Sequence, residues 1–276
     1  MSTLYLVATP IGNLEDITFR ALKVLQGVQI IAAEDTRQTR KLLTHYQIHN
    51  RLISLFDQNE RLRLPFLLDK LNKGDIALVS DGGTPALNDP GYELVNAAIQ
   101  AGHTVSPIPG ACAPISALVA SGLPTDHFLY MGFLPRRSAE RQQTLKQIVP
   151  LPYTLIFLEA PHRLLKTLSD LLTILGDRNI VVARELTKIH EEFFRSRISE
   201  AISHFQASTP RGEITLIVHG SEKKGEKWTE EELKTGIIKQ LQAGLSAREA
   251  SFNIAKQSGW SRKEIYHLAI QLQESQ

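Results

Sequence analysis

One cysteine, Cys112, stands in the whole chain of 276 residues, beside two methionines and two tryptophans. A single thiol excludes an intrachain disulfide and any zinc centre built on several cysteines. No apolar run is longer than a β-strand, so no segment is expected to cross a membrane. The N-terminus, MSTLYLVATP, lacks a basic stretch followed by a long apolar one, which argues against a secretory signal and for a cytoplasmic location. An excess of one charge is missing too: 31 Lys and Arg face 29 Asp and Glu, a net charge of +2. A partner such as RNA must then be met by local patches, not by an overall basic field.

Familiar catalytic signatures are also absent. No G-x-G-x-x-G opens a helix after the first strand, and no G-x-x-x-x-G-K-[ST] is present, which removes the usual dinucleotide and phosphate-loop sites. There is no H-E-x-x-H, the nine histidines are scattered without ligand spacing, and no metal is expected. A G-x-S-x-G nucleophile turn is missing as well.

What remains is a chain with 42% hydrophobic and 22% charged residues, ordinary for a globular protein and long enough for two domains and an appendage. Apolar strands alternate with helices. LYLVA (Leu4–Ala8), QIIAA (Gln29–Ala33), IALV (Ile76–Val79) and TVSPI (Thr104–Ile108) read as strands. Helices are expected from a cap at Asp16 or Thr18, near 60–73, at 91–101 and at 111–121, with Gly102 and Gly122 as stops. This alternation predicts a mostly parallel sheet covered by helices. The pattern restarts at FLYMGF (Phe128–Phe133), followed by a basic loop at 134–141 and a helix to about 149. Strands YTLIFL (Tyr153–Leu158), Asn179–Ala183 and EITLIV (Glu213–Val218) and the helix Leu164–Leu175 complete a second α/β set. SEKKGEK (Ser221–Lys227) reads as a charged linker, and three short helices follow, at 229–241, 247–257 and 262–272. The expected domains are therefore 1–122, 123–220 and 228–276. The last resembles a helix-turn-helix with Gly259 in the turn and Ser246 and Ser261 as caps; a small bundle that packs on a neighbour fits the same pattern.

Glycine and proline gather just after strands: TPIGN at 9–13, SDGGTPALNDPG at 80–91 and PGACA at 109–113. In parallel sheets ligands bind where such loops meet, so three of them on one edge predict a pocket lined by main chain. Two short basic stretches stand out, RQTRK (Arg37–Lys41) and RRSAER (Arg136–Arg141). Each suits phosphate, and each equally suits a solvated helix face.

YLVATPIGNLED (5–16), AEDTR (33–37), SDGGTP (80–85), DPG (89–91) and IPGA (108–111) together resemble the tetrapyrrole methylase superfamily, and within it the members that modify ribosomal RNA. GFLPR (132–136), EAPHR (159–163), ARELTK (183–188) and RGE (211–213) extend the resemblance over essentially the whole chain; Gly82 stands where alanine is more usual. The resemblance implies two α/β domains of the tetrapyrrole methylase type with the cofactor cleft between them, plus the C-terminal three-helix piece. It implies S-adenosylmethionine as cofactor and a homodimer acting on 16S ribosomal RNA or the small ribosomal subunit, with methylation of the ribose 2′-hydroxyl of a cytidine in the decoding region. The cofactor residues it implies are Pro10, Ile11, Gly83, Thr84, Pro85, Leu87, Gly110, Ala111, Cys112, Ala113, Ala160, Glu213 and Thr215. A ribose hydroxyl must lose its proton as it reacts. Glu34, Asp35, Glu185, Lys188 and His190 are candidates for accepting it, each also suited to a structural ion pair. Arg37, Arg40, Lys41, Arg136, Arg137 and Arg141 are candidates for RNA phosphates, with Arg248, Lys256, Arg262 and Lys263 in the C-terminal helices. A corrin-type tetrapyrrole methylase and a non-catalytic RNA-binding assembly factor are the alternatives.

Overall fold

The computed structural model describes residues 2–207, 210, 212–221 and 228–274. Arg211, the stretch 222–227 and the Lys256 side chain lie outside the described residues. The chain divides into two compact units, 1–221 and 222–276.

The first unit holds two five-stranded sheets. The first is built from β1 (Thr3–Val7), β2 (Ile30–Ala33), β3 (Leu52–Ser54), β4 (Ile76–Val79) and β5 (Thr104–Ile108), in the order β3-β2-β4-β1-β5, all parallel. IIAA of β2 and IALV of β4 are buried at every position, as strands covered on both faces must be. The cover comes from α1 (Phe19–Gly27), α2 (Thr36–His45), α3 (Glu60–Leu71) and α4 (Tyr92–Gln100). Val7, Leu25, Ile31, Leu43 and Val79 pack on one face, and Leu4, Leu67, Leu71, Leu78 and Leu94 on the other. Thr18 rather than Asp16 caps α1, its hydroxyl accepting from the Ala21 amide; Asp16 closes a short 3₁₀ turn before it. The helix after β5, α5 (Ala113–Ser121), turns its buried face elsewhere.

The second sheet contains β6 (Phe128–Phe133), β7 (Thr154–Glu159), β8 (Asn179–Arg184), β9 (Glu192–Arg197) and β10 (Ile214–Val218), in the order β6-β7-β10-β8-β9. Only β6 and β7 run parallel; the other neighbours are antiparallel. α6 (Ser138–Ile148), α7 (Leu164–Leu175) and α8 (Ile198–Ala207) cover one face around Phe157, Leu168, Val182 and Leu216. The opposite face takes Ala117 and Leu118 of α5 against Ile156, Val181 and Ile217. A helix that leaves the first sheet thus roofs the second, which ties the two halves together.

In the second unit α9 (Glu230–Gln242), α10 (Ala247–Ser258) and α11 (Arg262–Glu274) surround Leu233, Ile237, Ile254, Ile265 and Ala269. Thr229 with Glu232 and Ser246 with Glu249 form reciprocal capping boxes, and Ser261 exchanges the same two bonds with Glu264. Gly259 ends α10 in the left-handed conformation (φ +67°).

Candidate active site

β1, β2, β4 and β5 are parallel, so the loops that follow them meet at one edge of the sheet. Two of these loops are joined through main chain: the Thr9 amide donates to the Gly83 carbonyl (2.9 Å) and the Gly83 amide to the Thr9 carbonyl (2.8 Å). Gly83 has φ +93°, a conformation that a side chain opposes, and its missing Cβ would touch Ile11 at 3.4 Å. At Gly82 a Cβ would meet the Pro10 carbonyl at 3.2 Å, tight but tolerable for the alanine that is more usual there. Pro85 and Pro90 are buried within the loop.

The edge opens into a cleft of about 550 Å³ whose other wall belongs to the second sheet. From the first half come Pro10, Ile11, Gly83, Thr84, Leu87, Cys112 and Ala113; from the second come Tyr130, Phe133, Leu158, Glu213 and Thr215. Five described non-glycine residues have positive φ, and four of them, Ala86, Asn88, Glu185 and Thr187, lie in the two loops that flank this cleft. Strain of this kind persists only where packing over-determines it. The second loop is clasped to the first half by the Asn13 amide, which donates to the Thr187 hydroxyl (2.9 Å). Gly12 and Gly212 make room for it, since a Cβ would fall 2.6 Å from Lys188 Cγ at one and 1.6 Å from Glu185 Oε1 at the other.

Charge in the cleft is unbalanced. Among the described residues, Glu34, Asp81, Asp89, Glu159, Glu185 and Glu213 line it against one lysine, Lys188, which is held by Glu185 (Nζ–Oε1 2.9 Å). Glu159 is neutralised separately, by Arg163 at 3.2 Å. Burial pushes the Glu34 carboxyl up; the Asp81 amide opposes this, and the charges of Asp81, Asp57 and Asp35 add to it. Burial, then the charge of Glu34, pushes Asp89 up to about 6. The Tyr130 hydroxyl is buried without a hydrogen-bond partner among the described residues, and burial, then Cys112 and Asp89, pushes its phenol up to about 12. A donor without an acceptor and a surplus of carboxylates suit a cationic ligand that also offers an acceptor.

Of the acid–base candidates, Glu34, Glu185 and Lys188 are on the cleft wall. Asp35 has another job: it caps α2, accepting from the Arg37 amide (2.8 Å), and pairs with the Arg37 guanidinium (2.6 Å), which holds its carboxyl at about 2. His190 is exposed and not part of the wall. Pro85, Gly110, Ala111 and Ala160 are not among the residues of the wall. Ala111 accepts through its carbonyl from the Thr84 hydroxyl (3.2 Å), Gly110 abuts Ala8, and the Ala160 amide donates to Glu159 (2.8 Å).

The largest correction concerns Arg141. It lies in α6, only 3% exposed, with Nε donating to Asp170 at 2.7 Å and Nη1 to the Pro135 and Arg136 carbonyls at 3.1 Å each. A guanidinium so enclosed holds the 134–137 turn and does not reach RNA. Arg136 and Arg137 remain exposed, Arg137 beside Glu140 (3.3 Å). Arg37, Arg40 and Lys41 are exposed on α2, around a second, shallower hollow. Arg262 lies over the Phe252 ring (5.4 Å), and Arg248 and Lys263 are exposed.

Sequence reasoning overlooked Asp81, Asp89, Tyr130, Phe133 and Gln38, all on the wall. The signal for Tyr130 was Gly132: the β6–β7 register shifts between these two residues, and Gly132 has φ +60°. Such a bulge re-aims the side chain beside it.

No described helix is long and apolar enough to cross a membrane. A family model, the tetrapyrrole (corrin/porphyrin) methylases, matches residues 3–202. A relative from Halalkalibacterium halodurans, 48% identical over 96% of this chain and 94% of its own length, is called ribosomal RNA small subunit methyltransferase I. One of the same name from Thermotoga maritima is 48% identical over 80% of this chain and all of its own length. Among solved structures, a uroporphyrin-III C-methyltransferase from Thermus thermophilus in complex with S-adenosylhomocysteine shares the fold, with a TM-score of 0.55, 19% identity and coverage of 78% of this chain and 97% of that one. The chain therefore belongs to the tetrapyrrole (corrin/porphyrin) methylases, and within them to the family of ribosomal RNA small subunit methyltransferase I.

Proposed function

We propose that the protein is an S-adenosylmethionine-dependent ribosomal RNA methyltransferase that modifies the ribose 2′-hydroxyl of a cytidine in the decoding region of 16S ribosomal RNA. The observation that carries this reading is 48% identity, over nearly the full length, to a protein bearing the ribosomal RNA methyltransferase name. The cleft is chemically compatible with the cofactor: glycine-opened main chain, an unpartnered phenol and surplus carboxylates suit a ligand with one anionic and two cationic groups.

Bound there, S-adenosylmethionine would supply a methyl group already activated by its sulfonium charge. Pro10, Ile11, Gly83, Thr84, Leu87, Cys112, Ala113, Glu213 and Thr215 would hold it, with Pro85, Gly110, Ala111 and Ala160 keeping the wall in shape. The chain's main task is then positioning, which can contribute on the order of 7–11 kcal/mol when reacting atoms are well aligned. Arg37, Arg40, Arg136 and Arg137 would take phosphates of the RNA, and Arg262 and Lys263 further ones. The three domains 1–122, 123–220 and 228–276 would divide this labour between the two cleft walls and substrate holding. The working form would be a cytoplasmic homodimer, for which Ile115 and Val119, one turn apart on α5 and exposed, offer an apolar surface.

The test is transfer of a labelled methyl group to small ribosomal subunits and to naked 16S RNA, with digestion of the product to nucleosides. A 2′-O-methylcytidine product supports the reading. Cofactor binding with no transfer to RNA would point to an assembly factor, and transfer to a tetrapyrrole to a corrin-type enzyme.

A further inference from the structure

Asp89 sits in the loop between β4 and α4, in an N-D-P-G run that reads as an ordinary turn, yet its side chain lines the cleft. We infer that Asp89 is the catalytic residue that accepts the proton of the target hydroxyl. The inference rests on the methyl-transfer reading above.

The other acids of the wall are spoken for or exposed. Glu159 accepts from the Ala160 amide (2.8 Å) and pairs with Arg163 (3.2 Å). Glu185 holds Lys188 at 2.9 Å. Glu34 accepts from the Asp81 amide (3.2 Å), and Asp81 from the Asp35 amide (2.9 Å). Asp81 and Glu213 are solvent-exposed. Asp89 is half-buried and in no ion pair among the described residues. The groups that face it are Glu34 at the end of β2, Asp81 and the Ser80 hydroxyl after β4, Glu213 before β10 and Tyr130 on β6. None is a cation.

These surroundings set its chemistry. Burial first, then Glu34, with Asp81 and Glu213 adding and Ser80 opposing, lifts the carboxyl to about 6. A carboxylate that titrates near the working pH is a better base than an ordinary one. The Tyr130 phenol, displaced upward to about 12, stays a donor at neutral pH. The pair is fixed by packing as well: a Cβ at Gly132 would lie 2.4 Å from Asn88 Nδ2, so the side chain of the residue before Asp89 seats on the bulge that aims Tyr130. In the step, the ribose oxygen's lone pair forms the bond to the methyl carbon and the carbon–sulfur pair stays on sulfur as a neutral thioether. The hydroxyl proton goes to an Asp89 carboxylate oxygen and from there to water. Tyr130 is a positioning residue, donating to an acceptor atom of the bound reactants.

The sign of the pH effect follows. Below about 6 Asp89 carries a proton and cannot accept another, so transfer rises with pH through that value and levels above it. The experiment compares full-length wild type, Asp89→Asn, Asp89→Glu and Tyr130→Phe. Single-turnover methyl transfer to small-subunit RNA is followed against pH, with calorimetric binding of S-adenosylmethionine and infrared titration of the carboxyl groups. Asp89→Asn is expected to slow transfer about 10²- to 10⁴-fold, flatten the pH profile and keep cofactor affinity within about threefold. It should also remove one carboxyl that titrates near 6. Asp89→Glu should recover part of the rate, and Tyr130→Phe should slow transfer without moving the inflection. Asp89→Asn with a rate within about tenfold of wild type and the same pH profile overturns the assignment. So does a loss of cofactor affinity as large as the loss of rate, which would make Asp89 a partner of the cofactor's charge. Wild type that binds cofactor but methylates no RNA overturns the methyl-transfer reading itself, a result distinct from both.

Discussion

The two walls of the cleft are built from different material. The wall from the parallel sheet is rich in small residues, Pro10, Gly82, Gly83 and Ala113, beside the acids Glu34, Asp81 and Asp89, all set on loops that converge because their strands point the same way. The wall from the mixed sheet is mostly side chains, Tyr130, Phe133, Glu185, Lys188 and Glu213, brought in by a bulge and a strained loop. A parallel sheet gathers the loops after its strands at one edge. On the mixed sheet the bulge that aims Tyr130 lies in the parallel β6–β7 pair, at the edge strand β6. Neither wall serves one reactant alone: Glu213 and Thr215 of the second are among the residues proposed for the cofactor, and Asp89, on a loop of the first, faces the acceptor.

The comparison can be broken most severely on the main-chain side. Gly83→Val adds bulk where the chain has φ +93° and faces the cleft. It should reduce S-adenosylmethionine affinity by at least about 100-fold, about 2.7 kcal/mol, measured by calorimetry on protein that still shows cooperative unfolding. Trimming the other wall should matter less for this ligand: Tyr130→Phe should weaken cofactor binding by about 0.5–1.5 kcal/mol at most.

Two arginine changes separate holding the fold from holding RNA. Arg141→Ala removes the one cation paired with buried Asp170 among the described residues, leaving it only Ser138 and Gln142, and should lower unfolding free energy by about 3 kcal/mol in a denaturant titration. Arg136→Ala with Arg137→Ala should leave stability within about 0.5 kcal/mol. The salt dependence of RNA binding should then flatten by about one unit of slope per lost phosphate contact.

A smaller effect tests the cost of the Asp89 environment. Its carboxyl is raised from 3.8 to about 6, so the folded protein binds the extra proton between those values and stability falls as pH rises through the window. Asp89→Asn should therefore melt a few degrees above wild type at neutral pH, the gap closing as pH falls below about 6. Truncation after Ser221 should change cofactor affinity least of all. All the cleft residues precede it, and the Thermotoga relative matches 80% of this chain with its whole length. Calorimetry on the shortened protein checks this; loss of RNA affinity alone would leave substrate holding to the second unit.

Long apolar strands and capped helices were legible in the sequence because their periodicity is local: Leu164–Leu175 has the predicted ends. β3, three residues at the edge of the first sheet, and β9, EFFRSR with three charges at the edge of the second, lack the apolar run that marks a buried strand. The glycine loops were recognisable for what they do, since backbone that must approach a ligand excludes side chains. Asp89 and Tyr130 were not, because their roles depend on burial and on a bulge set by Asn88 against Gly132, contacts 44 positions apart in sequence. Arg141 misled for the same reason: its neighbours in sequence are exposed arginines, and its partner Asp170 is on another helix.

Hydrogen–deuterium exchange with and without S-adenosylmethionine tests the two-walled cleft most directly. The account predicts slowed exchange in 9–13 and 80–91 of the first half together with 128–133, 185–188 and 213–215 of the second. Protection confined to one half, or centred on the outer face of α2, would contradict it.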